Sequence, residues 1–343
     1  MRRTVELIAA AARRLSIDTY MVLLLGMVVL ASFLPAAGTV AVGLGHLTTF
    51  AIGLLFFLHG AKLSRQALLS ALTHWRLHVL VLVITFALFP LLGLALKPLA
   101  LALLTPDLYL GILFLCVLPS TVQSSIAFTA MARGNVAAAV CSASASNFLG
   151  IFITPVLVGL FIARGAAAGG SSLDSVLAIV EELLVPFLAG QFLRPWIGGW
   201  VDRNKPMLKF VDQGSILLVV YTAFSASVTE GLWRQLSLPT LIGLLVFACV
   251  LLALALGLSA LVSRRLGFSR EDEITIIFCG SKKSLASGVP MAKVLFASTS
   301  LGMIILPLML FHQIQLMVCA VLAQRWARRP EIEAEEKASE VKA

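Results

Sequence analysis

The sequence predicts an all-α polytopic membrane protein with about ten transmembrane helices. Hydrophobic residues make up 59% of the 343 positions and charged residues only 13%, whereas a soluble chain carries roughly 25% charged residues. The charges stand in short gaps between apolar runs, and a run of about 20 such residues can span a bilayer. Lys and Arg are also concentrated in alternate gaps, as in multi-pass membrane proteins.

The predicted spans are 19–36, 44–62, 77–97, 108–131, 136–163, 174–196, 211–229, 238–262, 273–294 and 300–324. Residues 1–18 precede the first span, and their paired Arg13 and Arg14 predict a short amphipathic helix on the cytoplasmic membrane surface. Residues 326–343 are charged and lack an apolar face, which predicts a disordered cytoplasmic tail.

The distribution of basic residues predicts the orientation. Under a ten-span count, Lys62, Arg133 and most other gap Lys and Arg fall on one side, and little beyond Lys97, Arg164, Arg234 and Lys293 falls on the other. This asymmetry predicts cytoplasmic termini in a multi-pass protein of the inner or plasma membrane. The net charge of +9 is therefore topogenic, and the absence of a basic face with interleaved aromatic residues argues against nucleic-acid binding.

A short polar linker, residues 164–173, divides the chain into two halves. The first, residues 19–163, and the second, residues 174–325, each hold about five predicted spans. Because five is odd, the second half enters the membrane from the opposite side. This arrangement predicts two five-helix inverted repeats, which are common in secondary transporters.

Two polar stretches interrupt the fourth predicted span of each half. They are residues 118–135 and 278–294, and each combines Pro or Gly with hydroxyl, amide or charged side chains. Irregular backbone at membrane depth is tolerated only inside protein or along a cavity, and broken helices build transport sites. We expect Pro119, Gly280 and Pro290 to shape the breaks.

Candidate substrate-binding or ion-binding residues come mainly from these stretches and the following span. They are Gln123, Ser124, Ser125, Ser142, Ser144, Ser146, Asn147, Ser281, Lys282, Lys283 and Ser284. For the three serines of the fifth span, close helix packing is an equally good explanation. A buried amide such as that of Asn147 needs several partners, which favours a site role.

Lys282 and Lys283 are the most unusual residues because they lie in the middle of a predicted span. A lysine there costs at least ~2.5 kcal/mol on insertion scales and rarely persists without a partner or a task. Snorkelling from a helix end is the structural alternative. Neighbouring residues diverge by about 100° on a helix, so at most one of them faces a narrow site unless the helix is unwound.

The sequence holds no motif for a cofactor, a resident metal ion or an enzymatic reaction. Its five cysteines lie in apolar runs without metal-ligand spacing, and no nucleophile elbow, phosphate loop or zinc signature is present. An enzyme is therefore not expected.

The chain resembles the bile acid:sodium symporter superfamily, in particular the SBF-like branch that includes a vertebrate bile-acid-transporter-like member. The resemblance covers about residues 15–325 and rests on five segments: FFLHGAKLSRQAL (56–68), ITFALFP (84–90), LPSTVQSSIAFTAMARGNVAAAV (118–140), SASASNFLGIFITP (142–155) and FCGSKKSLASGVPMAKVLF (278–296). It implies panel and core domains, broken fourth and ninth helices, and sodium-coupled transport of an organic anion.

The residues that the resemblance carries over depart from the sodium-coupled pattern. A Ser-Asn pair of the fourth span corresponds to Ser124 and Ser125, and a third-span glutamine to Thr85. The ninth-span Glu and Gln fall near Phe278 and Lys282, so the acidic sodium ligand is missing. A fixed positive charge opposes a second cation; Lys282 would replace sodium, or its neutral form would permit proton coupling.

These observations support a secondary active transporter of an organic, anionic solute that works by alternating access. Ser124, Ser125, Asn147, Lys282 and Lys283 are expected to line its cavity. The coupling ion, Na+ or H+, stays open, as do the substrate's identity and the oligomeric state. The alternative is a membrane regulator or scaffold that retains the fold without transport.

Overall fold

A computed structural model describes residues 19–62, 74–162, 183–229, 231–296 and 301–328, and within these ranges it contains helices and turns but no strand. The helices are α1 (Thr19–Phe33), α2 (Gly38–Lys62), α3 (Trp75–Ala95), α4 (Lys97–Leu103), α5 (Pro106–Val117), α6 (Gln123–Met131), α7 (Val136–Phe161), α8 (Val185–Arg203), α9 (Lys205–Thr229), α10 (Leu232–Gln235), α11 (Leu238–Arg265), α12 (Arg270–Gly280), α13 (Leu285–Leu295) and α14 (Leu301–Ala327). The predicted N-terminal helix, the linker and nearly all of the predicted tail lie outside the described residues.

Six of the helices in the described ranges are long and apolar enough to cross a membrane. They are α2, α3, α7, α9, α11 and α14. Two shorter apolar segments, Val22–Phe33 and Pro106–Val117, accompany them. The prediction of an all-helical, multi-pass membrane protein is confirmed at this level.

Two helices are interrupted where the sequence predicts breaks. The first interruption separates α5 from α6 at residues 118–122, and the second separates α12 from α13 at residues 281–284. Ser284 restarts the helix by accepting a hydrogen bond from the Ser287 backbone N–H at 3.2 Å, as N-terminal capping residues do. Pro119 and Gly280 lie at the breaks, whereas Pro290 lies inside α13.

We call α1, α2, α8 and α9, which contact one another, the panel. We call α3, the two broken pairs α5–α6 and α12–α13, α7, α11 and α14 the core; α9 of the panel also contacts α13 and α14 of the core. Edge-to-face rings fill the core, with Phe114 against Phe296 at 5.2 Å and Phe89 against Phe311 at 6.1 Å between centroids. Such pairs add about 0.5–1.5 kcal/mol beyond the area they bury.

Two glycines allow α2 and α8 to pack backbone against backbone in the panel. A Cβ added at Gly190 would lie 1.9 Å from the carbonyl oxygen of Phe57, and one added at Gly60 would lie 2.0 Å from that of Phe187. Both positions therefore exclude any side chain. Small residues support such close helix contacts in membranes, where packing rather than the hydrophobic effect drives association.

This contact predicts an asymmetry between two glycines of the same helix. Gly190→Ala should destabilise the protein by about 1–3 kcal/mol, the usual range for overpacking, because main-chain atoms cannot move aside cheaply. Gly199→Ala is the matched control, since a Cβ there meets nothing within 4 Å and alanine favours the helix. Thermal denaturation in detergent measures both; equal melting temperatures for the two variants would contradict the packing.

Candidate functional site

The two helix breaks contact each other directly in the core. The Ser284 backbone N–H donates to the carbonyl of Pro119 at 2.9 Å, and the Ser125 hydroxyl donates to the carbonyl of Phe278 at 3.0 Å. The Ser120 hydroxyl donates to the carbonyl of Cys279. Main-chain and side-chain groups of one break thus satisfy the free carbonyls next to the other, as buried backbone requires.

Two serines of α7 form hydrogen bonds to neighbouring parts of the core, and one of these bonds reaches the first break. The Ser146 hydroxyl accepts the Ser120 backbone N–H at 3.1 Å, and the Ser142 hydroxyl lies 2.7 Å from Nδ1 of His78 on α3. Both serines are buried. They hold the core together, so the packing explanation of the sequence analysis describes these two positions well.

Lys282 and Lys283 are fully buried, each with 0% exposure, and their side chains run to different places. Nζ of Lys282 donates to the carbonyl of Ser124 at 2.9 Å and lies 3.9 Å from the ring centroid of Phe128. Nζ of Lys283 donates to three carbonyls, those of Thr85, Cys116 and Leu118, at 2.7–2.8 Å. Although the backbone at 281–284 is unwound, the two lysine side chains do not share one site.

Gln315 of α14 holds the unwound segment by its main chain. Its Oε1 accepts the Lys283 backbone N–H at 2.9 Å, and its Nε2 donates to the Lys283 carbonyl at 2.9 Å. Nε2 also lies 2.9 Å from Nδ1 of His312, which reaches the wall of the neighbouring cavity. The Gln315 amide therefore replaces both main-chain hydrogen-bond partners that Lys283 would have in a regular helix.

A cavity of about 670 Å³ lies between the panel and the breaks. Polar groups of its wall come from both sides: Tyr20, His59, Lys62, Thr121, Gln123, Ser124, Ser144, Asn147, Lys205, Lys209, Asp212, Gln213, Ser284 and His312. Apolar side chains form much of the rest, among them Leu24, Phe56 and Phe187. This volume lies in the range of sites for drug-sized molecules.

Basic groups outnumber acidic ones on this wall. Lys62, Lys205 and Lys209 line it, whereas Asp212 is the acidic residue lining it among the described residues. Lys62 and Asp212 form an ion pair across α2 and α9, and Lys205 pairs with Asp202 at 3.2 Å. The excess of positive charge favours an anionic occupant.

The structure separates the predicted site residues into two sets. Gln123, Ser124, Ser144, Asn147 and Ser284 line the cavity. Thr85, Ser125, Ser142, Ser146, Ser281, Lys282 and Lys283 are buried behind its wall. The expectation that Ser125 and both lysines line the cavity therefore needs correction. Their polar atoms point into the region where the breaks at 118–122 and 281–284 contact each other, which we call the crossing. There they bond to carbonyls that have no partner within a helix.

Sequence reasoning missed Gln315, His312 and the role of Asp212. The first two stand in HQIQ, residues 312–315, a polar interruption of the last apolar run that carried the needed signal. Asp212 lies early in α9, near Lys205 and Lys209, where the three look like ordinary interfacial charges. Within the described ranges, no group of three His, Cys, Asp or Glu side chains is arranged to hold a metal ion.

The chain belongs to the SBF-like CPA transporter family, which it matches over residues 18–328. This confirms the resemblance to the bile acid:sodium symporter superfamily. The chain is 53% identical over 331 residues to "Putative symporter YfeH" of Escherichia coli K12, covering 95% of this chain and 98% of that protein. It is 65% identical over 312 residues to an uncharacterized protein of Pseudomonas aeruginosa, covering 91% of this chain and 93% of that one. Mouse sodium/bile acid cotransporter 7 is 33% identical over 276 residues, covering 79% of this chain and 80% of that protein.

The Gln315 contacts predict a difference between two glutamines of α14. Gln315→Leu should cost about 1–3 kcal/mol, because it leaves the buried N–H of Lys283 unpaired, while the Lys283 carbonyl keeps only its 3.3 Å contact with Nδ1 of His312. Gln313→Leu is the control: Oε1 of Gln313 is buried without a hydrogen-bond partner, so its loss should be neutral or stabilising. Chemical denaturation of both variants checks this, and a Gln313→Leu protein less stable than Gln315→Leu would refute it.

Proposed function

We propose that the protein is a secondary active transporter of an organic anion that works by alternating access. The observation that carries the proposal is the basic cavity of about 670 Å³ between the panel and the crossing of the two breaks. Substrate sites of secondary transporters form at broken helices where two repeats meet. The printed names of the Escherichia coli and mouse relatives, a symporter and a cotransporter, agree with this proposal.

Anion selectivity follows from the charges of the wall. Lys209 is exposed at the mouth of the cavity, and Lys62 is held by Asp212 deeper in the wall. A carboxylate or sulfonate of the solute would meet Lys209 first and then compete with Asp212 for Lys62. Apolar rings such as Phe56 and Phe187 would contact the hydrocarbon part of the solute.

Helix contacts support an arrangement of two inverted repeats of five. Exchanging α1 with α8, α2 with α9, α3 with α11, the pair α5–α6 with α12–α13, and α7 with α14 maps several contacting pairs onto contacting pairs. Thus α2–α8 becomes α9–α1, α3–α7 becomes α11–α14, and α5–α14 becomes α12–α7. Equivalent contacts are expected when two halves share one fold in opposite orientations.

One departure from this symmetry supports alternating access. Helix α9 packs against α13 and α14, and its Ser227 hydroxyl accepts the Gly302 backbone N–H at 2.7 Å. The equivalent helix, α2, instead faces α6 and α7 across the cavity, with His59 opposite Ser124 and Asn147. If α2 packed against α6 and α7 while α9 separated from α13 and α14, the cavity would close on its present side and open on the opposite side of the membrane. With cytoplasmic termini, the described state is open to the cytoplasm.

Binding and counterflow measurements test the function. Taurocholate and succinate, a bulky and a small organic anion, are offered to the purified protein and then to proteoliposomes. Bound anions raise the melting temperature, and at least one should show saturable counterflow. Lys209→Glu should weaken its apparent affinity roughly threefold to tenfold.

The control for charge is Lys97→Glu, an exposed lysine that does not line the cavity, and it should leave affinity unchanged. Equal weakening by both variants would contradict an anion site in the cavity. Binding without counterflow of either anion would contradict transport and favour the membrane regulator or scaffold.

A disulfide between α9 and α14 should lock the side of the protein on which these two helices pack together. A Cβ at Gly302 would lie 2.8 Å from that of Ser227, so Ser227→Cys with Gly302→Cys needs only a small outward shift to reach the usual ~3.8 Å. Cys249→Ser serves as the background because Cys249 is exposed. Oxidation should abolish counterflow and reductant should restore it, while each single cysteine stays active. Undiminished flux in the fully cross-linked protein would exclude alternating access by this movement.

A further inference from the structure

The ammonium group of Lys283 occupies a site made entirely of main-chain oxygens. Its Nζ lies 2.7 Å from the carbonyl oxygen of Thr85, 2.8 Å from that of Cys116 and 2.8 Å from that of Leu118. An ammonium has three N–H donors, and each finds one carbonyl. A neutral amine has only two N–H groups, so this geometry matches the charged form.

The Thr85 carbonyl is free because of a π turn in α3. At Ile84–Leu88 the Phe89 N–H donates to the carbonyl of Ile84, so it is withdrawn from Thr85, its partner in a regular α-helix. The next residue, Pro90, has no N–H to offer. A π turn and a proline together leave one carbonyl facing the crossing.

The other two carbonyls are free because α5 ends at Val117. The Ser120 N–H, which would bond to Cys116 in a continuous helix, donates instead to Ser146 at 3.1 Å. The C-terminal end of a helix carries partial negative charge, which adds to the attraction for a cation. The Phe89 ring centroid, 4.2 Å from Nζ of Lys283, contributes a further favourable contact.

Rings of backbone carbonyls are how proteins bind bare monovalent cations at membrane depth. Lys282, one residue earlier, has a different environment, with a single carbonyl and the rings of Phe128 and Phe278 at 3.9 and 5.3 Å. The three carbonyls around Nζ of Lys283 are therefore specific to this position, because the neighbouring buried lysine does not acquire them.

We propose that the Lys283 side chain is the covalently attached occupant of a monovalent-cation site formed by the carbonyls of Thr85, Cys116 and Leu118. Removing the side chain turns this into a site for a free small cation or a primary alkylammonium ion, and the wild-type protein needs no free cation there. The proposal rests on the proposed function and adds to it that the Lys283 side chain supplies the cation that the crossing requires. Its test measures stability, so either proposal can fail without the other.

Chemical rescue of Lys283→Ala tests the site. The substitution removes three carbons and the nitrogen, which n-propylammonium replaces. Melting temperatures are measured in detergent with n-propylammonium, sodium or potassium chloride against choline chloride at constant ionic strength. The variant should melt several degrees below wild type in choline, and n-propylammonium and at least one alkali cation should restore about half of the loss, saturably, by linkage. Wild type should not distinguish the salts.

Two further variants serve as controls. Lys282→Ala should not respond to sodium or potassium, since one carbonyl does not coordinate an alkali ion alone. Lys283→Met fills the space without charge and should be less stable than wild type in every salt. The proposal is overturned if Lys283→Ala loses stability and none of the cations restores it. It is also overturned if the same cations raise the melting temperature of wild type equally. If Lys283→Ala is not recovered folded, the methionine variant decides, and wild-type stability of Lys283→Met would overturn it.

Discussion

The structure depends on one constraint, the need to pair the main-chain polar groups that two helix breaks release in the middle of a membrane protein. Hydrocarbon offers no hydrogen-bond partner, and each unpaired group costs several kcal/mol. The breaks solve this mutually, through contacts such as Ser284 with Pro119 and Ser125 with Phe278. Gln315 and Lys283 pair with further groups of this kind. Alternative positions of either break would leave these groups without partners, so the crossing sets the positions of α5, α6, α12 and α13 together.

Charge in the crossing follows from the same constraint. Freed carbonyls produce a negative field without any carboxylate, and the side-chain nitrogens of two buried lysines donate to these carbonyls. This explains how lysines persist at membrane depth, because their hydrogen-bond partners repay part of the desolvation that makes such residues rare. Removing one partner of a buried charge destabilises a protein more than replacing both partners with apolar groups. The breaks and the lysines are therefore best regarded as one unit.

The cavity lies beside this unit and has different requirements. Its walls come from the panel and the core, and its charged residues, Lys62, Lys205, Lys209 and Asp212, stand on panel helices. Core hydroxyls and amides such as Ser124 and Asn147 face them across the cavity. The core thus holds the buried cations while the panel presents cations to a solute. A rigid panel, close-packed at Gly60 and Gly190, suits movement of one group of helices against the other.

The sequence by itself determined the membrane class, most helix positions and both breaks, because span length, Pro and Gly placement and charge alternation are local properties. It also drew attention to Lys282 and Lys283, since mid-span charge is rare. Only the tertiary structure decided that Lys283 meets the carbonyls of Thr85, Cys116 and Leu118, and that neither lysine lines the cavity. The physical reason is that a carbonyl becomes available only when its own helix bends or ends, and which distant side chain reaches it depends on how the helices cross.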